Sequence, residues 1–174
     1  MSELFSIQLQ NQQQSRDGVW LDLPTTTEQV QAALRQIDIS SDNPQGLFIS
    51  GYFAEEEKRI AIPYNMVLAS NVDELNFLAS RLETLPAGER AELNAALQAP
   101  QSELSSIGKI TDFPENVDYY VHLPEVHGAA QLGDYYLNRS GMVDMPEEWK
   151  GGIDTAQFGR YVAQQEQGAF TQYG

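Results

Sequence analysis

Apolar residues recur at every third or fourth position between Asn71 and Leu97, which predicts two amphipathic helices in the middle of the chain. The first helix has a stripe of four apolar residues, Val72, Leu75, Leu78 and Leu82. Pro86 ends this helix and suits the first turn of the next one, whose stripe contains Leu93 and Leu97. Asn71 and Glu74 have the spacing of a helix N-cap and its reciprocal partner, so we expect the first helix to begin directly after Asn71.

The N-terminal part of the chain alternates apolar and polar positions in three places, and this period predicts β strands. The three strands are residues 5–9, residues 19–23 and residues 47–53. The dipeptide Asp17-Gly18 is a good turn signal between the first two. Thr25 and Glu28 have the spacing of a capping box at the start of a helix. Residues 1–62 are therefore expected to form a small sheet with one helix laid across it.

Residues 109–174, the last part of the chain, show both the alternation of strands and the spacing of helices. Alternation predicts a strand at Val117, Tyr119 and Val121 and a closing strand at residues 168–173. Helical spacing predicts one helix at Gly128–Asn138 and a second at Thr155–Gln165. A short turn is predicted between them, from Pro146 onwards. This part is therefore expected to combine strands with helices.

Together these elements predict an α+β protein of three small units in a row. Residues 1–62 form an N-terminal α/β unit of sheet plus helix. Residues 63–108 form a helical middle unit, in which a third short helix follows Ser102 and ends at Gly108. Residues 109–174 form a C-terminal α/β unit of sheet plus helices. A chain of 174 residues is long enough for such a row.

The chain is strongly acidic, with 25 Asp and Glu residues against 10 Lys and Arg residues and a net charge of −15. Direct binding of nucleic acid through its phosphates needs a basic patch, which this balance disfavours. A basic protein partner is the natural expectation. Hydrophobic residues make up 41% of the chain, so a packed core is expected and global disorder is not.

No motif in the sequence defines an active site. The absence of cysteine excludes disulfides, thiolate zinc sites and a cysteine nucleophile. His122 and His127 flank Glu125, but Pro124 lies between the histidines, so they do not form the helical pair of a zinc enzyme. Neither a serine-hydrolase elbow nor a phosphate-binding glycine motif is present. We therefore expect a protein that is not an enzyme and needs neither metal nor cofactor.

The acidic excess is spread along the chain and is not confined to a tail. Net charges are −5 for residues 1–62, −4 for residues 63–108 and −6 for residues 109–174. A solvated acidic surface is the simplest interpretation. Sustained negative charge can also imitate a nucleic-acid backbone, since duplex DNA carries about one charge per 1.7 Å of axis. Two chains with −15 each would match the phosphates of roughly 50 Å of duplex, about 15 base pairs.

Three stretches of the chain resemble the ArdA family of antirestriction proteins, DNA mimics carried by plasmids and conjugative elements. They are GVWLDLP at residues 18–24, ELNFLASRLETLP with AELNAAL at residues 74–97, and IDTAQFGRYV with GAFTQYG at residues 153–174. They occur in the family's order and together span most of the chain. The segment Arg81–Leu97 matches the family's antirestriction motif, although Ala87-Gly88-Glu89 follows Pro86 where the family usually has an acidic pair.

This resemblance implies an elongated protein that dimerises through its C-terminal unit and whose acidic groups stand in for the phosphates of a bent duplex. The implied partner is the DNA-recognition and methyltransferase core of type I restriction–modification enzymes, which would be occupied competitively and without chemistry. The expected contact residues are the acids outside the apolar stripes of the middle and C-terminal units: Asp73, Glu74, Glu83, Glu89, Glu92, Glu103, Asp112, Glu115, Asp118, Glu125, Asp134, Asp144, Glu147 and Glu148.

Two other functions remain open at this point. An acidic adaptor or regulator could bind a different basic protein without mimicking DNA, and a carboxylate-dependent hydrolase is a more distant alternative. The N-terminus MSELFSIQLQ has neither the basic start nor the long apolar run of a signal peptide. No apolar run reaches the length that spans a bilayer, so we expect a cytoplasmic protein without membrane contact.

Overall fold

The computed structural model describes residues 3–14 and 17–174. Its sheet has three antiparallel strands, β1 (Phe5–Asn11), β2 (Val19–Leu23) and β3 (Leu47–Phe53), in the order β2-β1-β3. The register pairs Ile7 with Leu21 and Tyr52, and it shifts between Gln8 and Leu9. All three predicted N-terminal strands are confirmed, and the direct pairing of β1 with β2 confirms the predicted hairpin. Residues 15 and 16, where the sequence predicts part of the turn, lie outside the described part of the chain.

Helix α1 (Thr27–Gln36) begins one residue later than the sequence predicted. Thr26 is the N-cap: its hydroxyl accepts from the N–H of Gln29 at 3.4 Å, and Gln29 Oε1 accepts from the N–H of Thr26 at 3.2 Å. The prediction of a capping box at Thr25 and Glu28 was therefore wrong by one position. The reason is tertiary, because the Thr25 backbone is held by the Asn76 side chain through bonds of 2.7 and 3.0 Å.

The molecule divides into two compact units. The first runs up to Arg90 and includes Glu103–Asp118, and the second contains Ala91–Ser102 and Tyr119–Gly174. The predicted division into three units at residues 62 and 108 stays a prediction.

Short helices follow the sheet in the first unit. After a single 3₁₀ turn (Glu56–Lys58) come α2 (Tyr64–Leu68), α3 (Val72–Leu82), the start of α4 (Ala87–Gln98), α5 (Ile107–Thr111) and α6 (Phe113–Asn116). Helices α1, α2 and α3 contact the strands of the sheet. The apolar stripe predicted for α3 is buried, and so are Leu93 and Leu97 of α4. Asn71 caps α3, as predicted, by accepting from the N–H of Glu74 at 2.9 Å.

One helix of the first unit lies elsewhere than predicted. The helix expected between Ser102 and Gly108 starts only at Ile107 and contains Gly108. Ser106 sets this start, because its hydroxyl accepts from the N–H of Lys109 at 3.3 Å. Glycine need not end a helix when a good N-cap precedes it by two residues.

The second unit is held together by two helices in backbone contact. Helix α7 (Ala129–Asp134) continues into a π-helical turn (Tyr135–Arg139), and α8 (Glu147–Lys150) precedes α9 (Thr155–Gln165). Helices α7 and α9 pack so closely at Gly133 and Gly159 that a Cβ atom on either glycine would overlap the backbone of the other helix. Val126, Leu132 and Val162 form the small buried core beside this crossing.

The two strands predicted for the last part of the chain were wrong. Val117–Tyr119 is a 3₁₀ turn that follows α6, and Tyr119 and Val121 are 83% and 89% exposed, so their alternation does not bury a face. The segment at residues 168–173 ends in a local turn, in which Thr171 N–H donates to Gly174 O at 2.9 Å. Among the described residues after Phe53 there is no strand, so the predicted C-terminal α/β unit lacks its sheet, although the α+β class of the whole chain is confirmed.

Candidate functional site

The fourteen acids predicted to contact a partner all lie at the surface. Ten are exposed and four, Glu83, Glu89, Glu92 and Asp134, are partly exposed. Eight of the fourteen belong to the first unit and six to the second. This distribution follows from simple physics, because an unpaired carboxylate is costly to bury. None of these fourteen carboxylates is buried.

Short helices position many of these carboxylates at their N-terminal turns. Asp73 and Glu74 lie in the first turn of α3, Glu89 in that of α4, and Glu147 and Glu148 in that of α8. The free N–H groups of a helix N-terminus stabilise negative charge there. These five acids therefore sit at surface positions that are fixed by the backbone.

Three further acids follow one another at every third position through α6 and the turn after it. Asp112, Glu115 and Asp118 are all exposed, while Phe113 beside them is buried and anchors the segment. Three residues advance the axis by about 4.5 Å in an α-helix and about 6 Å in a 3₁₀ helix. The segment thus presents carboxylates at short, regular intervals.

Basic residues neutralise several of the fourteen acids in part. In the first unit Arg81 forms an ion pair with Glu115. In the second unit Arg139 lies 3.5 Å from Glu125 and 3.4 Å from Asp134. Lys150 Nζ lies 2.6 Å from Glu147 Oε1 on the same helix. Exposed ion pairs contribute at most about 1 kcal/mol, so a basic partner can replace these internal cations.

Each unit keeps a net negative charge of its own. The first contains 17 acids and 7 bases, net −10, and the second contains 8 acids and 3 bases, net −5. Acids of residues 1–62, which the sequence prediction left out, contribute to the first unit, and Asp22, Glu28 and Glu55 among them are exposed. Backbone and Thr26 hydrogen bonds lower the pKa of Glu28 and so favour its ionised form. The predicted set of contact residues could have included these acids, because the charge along the chain already shows them.

The two histidines contact the C-terminal segment. His122 Nε2 lies 2.7 Å from the Tyr173 carbonyl oxygen, and His127 Nδ1 lies 3.4 Å from that of Thr171. The described residues, 3–14 and 17–174, contain no group of three or more acidic or histidine side chains that could hold a metal ion. Within the same ranges, no helix is long and apolar enough to cross a membrane.

Fold and surface together define an acidic α+β protein in which both units carry a net negative charge and exposed carboxylates. The chain belongs to the ArdA antirestriction family, because the family model "Antirestriction protein (ArdA)" matches residues 13–174. No curated protein matches it. Membership of this family means that the protein counteracts restriction and interacts with restriction–modification enzymes.

Proposed function

We propose that the protein blocks type I restriction–modification enzymes by occupying their DNA-binding groove as a mimic of bent duplex DNA. The supporting observation is the placement of charge: both units carry a net negative charge, the fourteen acids all lie at the surface, and five of them are held in the first turns of short helices. The groove that binds DNA must itself be basic, so these carboxylates can take the place of phosphates. The protein then acts by competition in the cytoplasm, without chemistry or a cofactor.

The proposed contact groups are the fourteen acids described above, with no single one dominant. Because the charge is spread, neutralising one exposed acid should weaken binding only slightly, whereas several neutralisations should add up. A single substitution that abolished inhibition would instead indicate a localised site.

Salt dependence of direct binding tests this proposal. Labelled protein is titrated with the purified DNA-recognition and methyltransferase core of a type I enzyme at several salt concentrations. We expect the affinity to fall steeply as salt rises, because many charge pairs form in the complex. Tight binding that does not depend on salt, or binding that leaves DNA on the enzyme, would favour an acidic adaptor that binds another surface.

We also propose that the protein acts as a homodimer formed through the second unit. Several large apolar side chains of this unit are exposed, among them Met142 (74%), Trp149 (67%) and Tyr161 (60%). Exposed Met and aromatic side chains are enriched at protein interfaces. A dimer would bring a charge of −30 to the enzyme, equivalent to about 50 Å of duplex. Light scattering that finds only a monomer at micromolar concentration would contradict this.

A further inference from the structure

The outward face of the sheet in the first unit carries aromatic residues on both edge strands, while the central strand presents Ser6, Gln8 and Gln10 there. Its inward face holds Ile7, Leu9 and Leu21, all at most 6% exposed. The opposite face carries three aromatic residues that remain open to solvent: Trp20 (50% exposed), Phe53 (57%) and Phe48 (36%). Exposed aromatic surface of this extent on a sheet is a typical protein-binding feature.

Trp20 reaches from one edge strand towards the other, so this strip of residues crosses the central strand. Trp20 lies on β2 and Gly51 on β3, with Gln8 of the central strand between them. The tip of the indole, Cη2, comes within 3.0 Å of the point that a Cβ atom on Gly51 would occupy. The ring therefore lies across the central strand, and the glycine leaves the room for it. Phe53 follows two residues after Gly51, on the same face of β3.

Charge on this face has one sign. The 19 residues of the three strands contain no Lys, Arg or His, and Asp22 is their only charged residue. Asp22 lies two residues after Trp20 on the same face of β2 and is exposed. Ser6 Oγ lies 2.9 Å from Asp22 Oδ1 and 3.1 Å from Glu3 Oε1, so two carboxylates converge at this end of the strip.

We infer that this face, the strip of Trp20, Phe48, Phe53 and Asp22, binds an arginine-bearing segment of a partner protein. A guanidinium group stacks on aromatic faces and forms paired hydrogen bonds with carboxylates. Residues two apart on one strand face are about 7 Å from each other, so a guanidinium stacked on Trp20 is within reach of the Asp22 carboxylate. Neighbouring apolar side chains of the segment then cover Phe48 and Phe53.

The inferred binding depends on the residues of the sheet alone and is independent of the proposal of DNA mimicry. Its occupant is defined by charge complementarity: aromatic faces and carboxylates attract a cation, whereas a second copy of this sheet would bring its own carboxylates. The probe for the test is accordingly a short synthetic peptide that alternates arginine and leucine, with the same peptide carrying glutamine for arginine as its control. Neither a restriction enzyme nor DNA is present, so the outcome is separate from that of the DNA-mimic proposal.

Two-dimensional NMR of the full chain with this peptide tests the inference, because the protein has two tryptophans and therefore two indole N–H signals. We expect the Trp20 signal to shift in a saturable way, while that of Trp149, in the second unit, stays in place. The glutamine peptide should shift neither. Equal shifts of both signals, or equal binding of the two peptides, would overturn the inference.

Matched variants separate this face from the diffuse charge of the protein. Phe53→Ala should weaken the binding of the arginine peptide about tenfold, as measured by calorimetry. Phe77→Ala removes a similarly exposed aromatic side chain from α3 and should weaken this binding by less than about twofold. Asp22→Asn should weaken binding more than Glu28→Gln, which removes an exposed charge from α1. Thermal unfolding confirms that the variants fold. Equal effects within each pair would show that the peptide binds only through overall charge.

Discussion

Gly159→Ala should destabilise the second unit, because α7 and α9 touch through their backbones at this position. A Cβ atom on Gly159 would lie 2.7 Å from the Ala129 carbonyl carbon and 2.8 Å from the Gly133 nitrogen, and it would overlap the Ala129 carbonyl oxygen. Carbon atoms pack at about 3.5–4.0 Å, so the helices must separate by roughly 1 Å, and this gap weakens their other contacts.

The expected cost follows from these contacts. Overpacking costs about 1–3 kcal/mol, and the upper end applies because both obstacles are backbone and cannot rotate away. The gain of alanine over glycine inside a helix offsets about 1 kcal/mol of this. The net loss should be about 2 kcal/mol, which lowers the Tm by roughly 10 °C for a unit of this size.

Urea unfolding followed by the fluorescence of Trp149, with Trp20 replaced by Phe, measures this loss in the second unit itself. Gly151→Ala is the matched control in the same unit: a Cβ atom there has nothing within 4 Å, and the residue has helical backbone angles at the end of α8. This control substitution should leave the free energy of unfolding unchanged or raise it by up to about 1 kcal/mol. The reasoning is refuted if Gly159→Ala unfolds at the wild-type urea concentration or above it.

Three further predictions address the cap, the core and the charge of the first unit. Asn71→Ala should lower the free energy of unfolding by about 1 kcal/mol and Asn71→Asp should restore it, as measured by urea titration. Burial raises the pKa of Tyr52 to about 12. The neutral Tyr52 side chain therefore contributes fully to the free energy of unfolding below about pH 10. Between about pH 10 and 12 the free energy of unfolding falls by about 1.4 kcal/mol per pH unit, because the unfolded chain loses this proton first. Tyr52→Phe should flatten that part of a plot of urea midpoint against pH. Arg81→Gln removes the cation paired with Glu115, so it should tighten binding to the type I enzyme core about twofold at low salt, and an unchanged affinity would argue against contact at Glu115.

Secondary structure could be predicted where local chemistry and packing agree. The helix at residues 72–82 has a cap at Asn71 and an unbroken apolar stripe, and both features appear in the structure. Alternation failed at residues 117–121, because a strand needs a neighbouring strand to pair with and the described residues form none beside this segment. The start of α1 was missed by one residue because Asn76, far away in sequence, holds the Thr25 backbone.

The sequence was sufficient to predict which acids lie at the surface, but not which of them form ion pairs. Exposed carboxylates follow directly from the cost of burying charge, so the position of the fourteen acids at the surface needed no tertiary information. The ion pair of Arg81 with Glu115 joins residues 34 positions apart and depends on the packing of α3 against the segment that contains α5 and α6. The aromatic strip likewise depends on the sheet order, which places Trp20 and Gly51 on either side of one strand.

Competition between the protein and unmodified DNA for the core of a type I enzyme tests the central claim most directly. The apparent inhibition constant is measured at increasing concentrations of duplex DNA. If the protein occupies the DNA-binding groove, this constant should rise in proportion to the DNA concentration, and no complex should contain both ligands. An inhibition constant that is independent of DNA, or a stable complex of enzyme, DNA and protein together, would contradict the account.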